Sequence, residues 1–215
     1  MNLRNVLIAM LLLGLAGWWF SPHSPRVPAP PRHADGAAHA GCPLPPLVAR
    51  GQPPLQSDAP AAMPPFQLEG ASLQPLAGFS VEARVLSRED YSFGREAEYS
   101  PTDLALGWGR MGDDAVLDRL DISQSSRWYH YRWRGDPPIP PGEIIRSSAN
   151  MHMIPADATV ASALHAVKPG QRVRIDGWLV QVDADDGWHW RSSTTREDTG
   201  GGACEVVYVC SISRE

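Results

Sequence analysis

Apolar residues crowd positions 1–20, lose all period over 21–65, and then recur at strand and helix spacings from residue 66 to the end. The first block, MNLRNVLIAMLLLGLAGWWF, holds an apolar run from Val6 to Phe20, 15 residues. That is short of the ~20 that cross a bilayer but fits the apolar core of a secretory signal. No small-x-small cleavage site follows it directly, and Trp18, Trp19 and Phe20 are aromatics suited to a membrane interface. The pattern predicts an uncleaved signal-anchor with Arg4 on the cytoplasmic side. The chain would then be a single-pass bacterial inner-membrane protein with its C-terminal part in the periplasm. Cleavage near Ala37 to Ala40, giving a secreted protein, is the alternative. Ala40-Gly41-Cys42 lacks the leucine-like residue a lipidation box requires, since His39 stands there. Residues 21–65, with SPRVPAPPR and CPLPPLVARGQPP, read as a disordered, semi-rigid Pro/Ala spacer.

From residue 66 to 215 the patterning is that of one domain. Phe79 to Asp90 alternates as a half-buried strand. In SPTDLALGWG, Ser100 as cap, Pro101 at the first helical position and Asp103 in the first turn predict a short helix ended by Gly107 and Gly109. Asp113 to Leu120 predicts another. Ile122 to Trp133 alternates, with Trp128, His130 and Arg132 on one face and Tyr129, Tyr131 and Trp133 on the other. PADATVASALHAV predicts a helix capped by Asp157, with Val160, Leu164 and Val167 on one stripe. In QRVRIDGWLVQVD the apolar face changes parity near Gly177, which predicts a bulge or bend. Asp185-Asp186-Gly187 is a turn signal, WHW opens a return strand, and Glu205 to Ile212 forms a closing strand. Short strands with one helix inserted before a glycine-bearing strand give the fold expectation. It is a β-rich α+β domain, a small closed β-barrel similar to the oligonucleotide/oligosaccharide-binding (OB) barrel, with short peripheral helices.

Composition narrows the partners. Acidic residues exceed basic ones, 24 to 19, giving a net charge of −5. Nonspecific nucleic-acid binding needs clustered cations, so no nucleic-acid partner is expected. The proline and alanine abundance, with Lys168 the only lysine, also reflects a GC-rich coding sequence and is discounted accordingly.

The candidate chemistry is mostly thin. Asp198-Thr199-Gly200 spells the acid-protease tripeptide, but Ser193 to Glu197 before it is polar, unlike the apolar strand that buries such an aspartate. No G-x-S-x-G elbow is present, and neither C-x-x-C nor H-E-x-x-H offers a metal site. No cofactor is expected. Ser147 to His152 (SSANMH) is the most site-like block, although Met151 and Met153 facing a core would leave Asn150 and His152 with structural work. If Cys204 to Cys210 is one straight strand, their Cα atoms are ~20 Å apart and they cannot pair with each other. Cys42 is then free to pair with either, or between chains. Trp188, Trp190 and Arg191, followed by a polar loop with Arg196 and Asp198, form the remaining cluster. Tryptophan stacks on sugar or base faces, and arginine offers planar donors. Alternation within WHW predicts that one tryptophan turns inward.

DLALGWGRM, ISQSSRWYHYRW, SANMHMIPA and DGWHWRSSTTREDTGGGACE together resemble the signature blocks of an uncharacterised bacterial family of short, N-terminally anchored proteins. The resemblance implies a cell-envelope location and no activity. The leading expectation is a membrane-tethered, non-enzymatic envelope module that binds a protein or glycan through Trp188, Trp190, Arg191, Arg196, Asp198, Asn150 and His152. The alternative is a small hydrolase built on SSANMH and the 189–198 loop.

Overall fold

The structure is a computed structural model that describes residues 3–19, 31–32, 41–195 and 204–214. In chain order its elements are α1 (Leu3–Trp19), β1 (Leu55–Asp58), β2 (Phe66–Leu68), β3 (Ala71–Asp90), β4 (Thr102–Gly107) and α2 (Asp114–Leu117). There follow β5 (Asp121–Ser125), β6 (Trp128–Arg132), α3 (Pro141–Arg146), β7 (Ser148–Pro155), α4 (Ala158–His165), β8 (Arg172–Ala184), β9 (His189–Arg191) and β10 (Glu205–Arg214). The chain is β-rich with a few helices.

Its centre is β3, whose 20 residues pair with β1, β2, β4 and β8. A strand this long bends where extra residues enter. Leu76 and Leu86 fall at the two register shifts against β8 and β4, which is how bulges raise local twist. From β3 the pairings run through β4, β7, β10 and β8 and return to β3. All are antiparallel except β7 with β10. These five strands share a core of Phe79, Val81, Leu104, Leu106, Met151, Met153, Ile175, Leu179, Val207 and Val209. Helix α4 adds Val160 and Leu164, and Val167 follows. Its cap is the one expected, with the Asp157 carboxylate accepting from Val160 N at 2.8 Å.

Four expectations change. Residues 102–107 form strand β4 rather than a helix, and every one of them is buried. Both faces are covered, so the apolar run carries no period, and the unpaired edges of β3 and β7 outweigh the Ser100-Pro101 helix signal. Ile122 to Trp133 is two strands, β5 and β6, turning at Ser126 and Arg127, with the expected division of faces retained. The parity change near Gly177 is no slip of β8. Val173, Ile175 and Leu179 face the shared core, while Trp178, Val180 and Val182 join a second cluster with Leu73, Val206 and Tyr208. The irregularity lies opposite, in β10, where Cys210 is the extra residue. Gly177 serves a different need, since a Cβ there would run into the Tyr208 carbonyl oxygen.

The fourth change concerns the proline-rich stretch. Residues 41–58, assigned by composition to the spacer, lie against the domain as a strap. Cys42 is bonded to Cys210. Trp178 Nε1 donates to Pro43 O at 2.7 Å, and Val48 is buried with its N–H on Ser80 Oγ at 2.8 Å. Strand β1 then pairs with β3. Proline keeps such a segment extended with few donors to satisfy, so it can lie flat across a sheet. Helix α1 has 17 residues, about 26 Å at the usual rise. Among the described residues no helix is long and apolar enough to cross a membrane.

Candidate binding face

The outward face of β4 and β7 is polar and buried at once. Asp103 and His152 are register partners across these strands, on the side opposite Leu104, Met151 and Met153. Asp103 is completely buried, and the His152 side chain is 4% exposed. A carboxylate so placed needs partners, because desolvation of an unpaired charge costs several kcal/mol. It has three. Arg127 Nη1 donates to Oδ1 at 2.6 Å, Asn150 Nδ2 donates to Oδ2 at 3.3 Å, and His152 Nδ1 sits 2.9 Å from Oδ1. The histidine contact has the distance of an ion pair without the alignment of a hydrogen bond, so Nδ1 stays formally unsatisfied.

The β5–β6 hairpin lays its tip over this seat. Ser126 and Arg127 both have positive φ, 51° and 69°, the left-handed conformation that two-residue hairpin turns require and that favours Asn or Gly. The seat grips the tip on every side. Arg127 N donates to Tyr91 Oη at 3.0 Å, and the guanidinium lies 3.8 Å from the Tyr91 ring centroid. Asn150 Nδ2 donates to Arg127 O at 3.0 Å, and Gln124 Nε2 donates to Asn150 Oδ1 at 2.6 Å. Lower on the hairpin, burial pushes the Tyr129 hydroxyl up to about 12, although its hydrogen bond with Ser148 opposes this.

An aromatic ladder continues the face. Trp190 lies 4.7 Å from His152, Trp188 6.1 Å from Trp190, and Tyr99 stacks on Trp188 at 5.9 Å. The Arg95 guanidinium sits 5.7 Å from the Tyr99 ring and 5.6 Å from that of Trp188. Arg95 also bonds Asp186 at 2.7 Å. Here the expected inward turn of one tryptophan is corrected: residues two apart in a strand share a face, and both tryptophans lie on the ladder.

Of the residues singled out in the sequence, Asn150, His152, Trp188 and Trp190 meet on this face. Arg191 bonds Gln181 at 2.7 Å instead, and Arg196 and Asp198 lie outside the described residues. Sequence reasoning missed Asp103, Arg127, Tyr91, Gln124, Arg95 and Tyr99. For Asp103 the signal was there, a lone carboxylate inside an apolar strand-length run. Among the described residues no group of His, Cys, Asp and Glu is arranged to hold a metal. No family model, no curated protein and no solved structure matches this chain.

Proposed function

We propose that this chain is a membrane-tethered binding module of the bacterial cell envelope. In this reading its domain is an OB-like closed barrel that engages a protein or glycan through the outward face of β4 and β7. The barrel reading is supported by the cyclic order β3, β4, β7, β10, β8 with α4 between β7 and β8. OB domains use their second and third strands, with the loops after the first and fourth, to hold ligands. By that correspondence Tyr91, Arg95 and Tyr99 stand in the first such loop, and Trp188 and Trp190 in the second. The Cys42–Cys210 disulfide suits an oxidising compartment, and α1 with its terminal tryptophans suits an anchor.

The observation that carries the reading is the half-buried pair Trp188–Trp190, backed by the buried Tyr99 and with Arg95 above Trp188, which leaves the two tryptophans as the part able to stack on planar or sugar groups. The hydrolase alternative, built on SSANMH and the 189–198 loop, would draw on His152, which sits beside Asp103. It is disfavoured because His152 is buried, and because Ser148 Oγ, in the same block, donates to Ile144 O at 2.7 Å. Crosslinking from detergent-solubilised envelopes tests the proposal. A full-length Trp188→Ala/Arg95→Ala variant should lose the species captured by the wild type, and an unchanged set of captured species would overturn the choice of face.

A further inference from the structure

We infer that the pocket formed by Asp103, Tyr91 and Asn150 is a recognition seat for an arginine side chain, filled in cis by Arg127, and that a protein partner presenting an arginine fills it in trans when the hairpin tip lifts. This rests on the binding reading above and narrows its ligand to protein.

The seat has the chemistry of guanidinium recognition. A buried carboxylate takes one guanidinium N–H, an aromatic ring covers the planar face, and an amide accounts for the backbone beside it. Arg127 is therefore direct evidence of what fits. Its own fit is imperfect in ways that favour exchange. Arg127 Nη2, Gln124 Oε1 and His152 Nδ1 are buried without a hydrogen-bond partner, and such orphans are each costly. The tip also holds two non-glycine residues in left-handed backbone, a strain that tends to gather at functional positions. The hairpin is moreover a separate two-stranded sheet, with no strand pairing to the main one. Its root is fixed differently, by Tyr131 and Trp133 packing near Met111 and Ile144. A tip held by side chains on an apolar root can open without unfolding the domain.

The test uses full-length protein and a synthetic peptide copying residues 121–132, with a second peptide carrying Arg127→Ala. Opening the seat by Arg127→Ala in the protein should let the arginine peptide bind at least tenfold tighter than it binds wild type. The alanine peptide should show no saturable binding, and Asp103→Asn added to Arg127→Ala should abolish binding of the arginine peptide. Because Arg127→Ala leaves Asp103 exposed to misfolding, Arg127→Lys is the second variant. It keeps the cation, lacks the planar fork, and should bind the arginine peptide at least threefold tighter than wild type does. Equal binding of the two peptides, or no gain in either variant, overturns the inference. Dimers of wild type formed by exchanged hairpins would overturn the foreign partner. If the seat fails while capture through the ladder survives, only the arginine preference falls; loss of both removes the face itself.

Discussion

Two segments lie across the outside of the same five strands, and they are fastened by opposite means. The strap, residues 41–58, is held by the Cys42–Cys210 bond, by a strand ladder to β3, and by backbone groups of Pro43 and Val48. The hairpin, residues 121–132, has an apolar root and a polar tip with no ladder to the main sheet. Backbone ladders and covalent bonds tie a segment down whatever else binds. Side-chain contacts to a charged seat can be replaced by another molecule offering the same groups. The strap thus belongs to the architecture, and the hairpin tip is the part that the proposed arginine exchange would move.

The largest effect should come from the strap's covalent end. The bond closes a separation of 168 residues, and loop-closure entropy on that scale is worth about 3–5 kcal/mol. Cys42→Ser should lower stability by that amount in denaturant unfolding. A loss under about 1 kcal/mol, with the ladder contributions intact, would show that β1 and Val48 suffice and weaken the contrast.

Alkali should act on the hairpin next. The Tyr129 hydroxyl, raised by burial to about 12 from 10, binds its proton more tightly folded than unfolded. Its contribution is whole below pH 10 and is lost as pH rises toward 12, about 3 kcal/mol in all. Tyr208, pushed up to about 12 by burial, adds a similar loss away from the hairpin. Thermal unfolding followed from pH 9 to 12 should therefore fall less steeply for Tyr129→Phe than for wild type. Identical profiles would mean the hairpin root carries no such linkage.

The smallest of the three probes the strap's polar stitch. Ser80 Oγ accepts from Val48 N and donates to Asp176 Oδ1 at 2.5 Å, all beneath the segment. Ser80→Ala should cost about 1–2 kcal/mol and leave the disulfide formed. A cost above that of Cys42→Ser would reverse the ranking and make the polar stitch the main fastener.

The same contrast explains what could be read from the residues alone. Alternation located part of β3 and the start of β8, where one face is half-exposed, and capping located α4, where one end is exposed, while β10, buried on both faces over its first five residues, was legible by its β-branched residues alone. Strand β4 was misread since burial on both sides erases period, leaving only the local Ser-Pro signal. The strap was invisible because its order comes from a bond and a ladder made with residues far along the chain, not from its own composition. On the candidate binding face, Trp188, Trp190, Asn150 and His152 announced themselves by type. Asp103 and Arg127 did not, because their meaning arises when a turn at residues 126–127 meets strand β4 in space.

Cys210 is at once the extra residue in β10 and the anchor of the strap. That position decides how tension passes through the molecule. A pull on the chain preceding residue 42 is received at Cys42 and handed straight to a strand in the middle of the sheet. The β1 ladder, which would otherwise unzip one bond at a time from its end, carries none of the load. Under reducing conditions the path reverts to the ladder, so the force needed to peel the strap should drop with the thiol state while the fold beneath is unchanged.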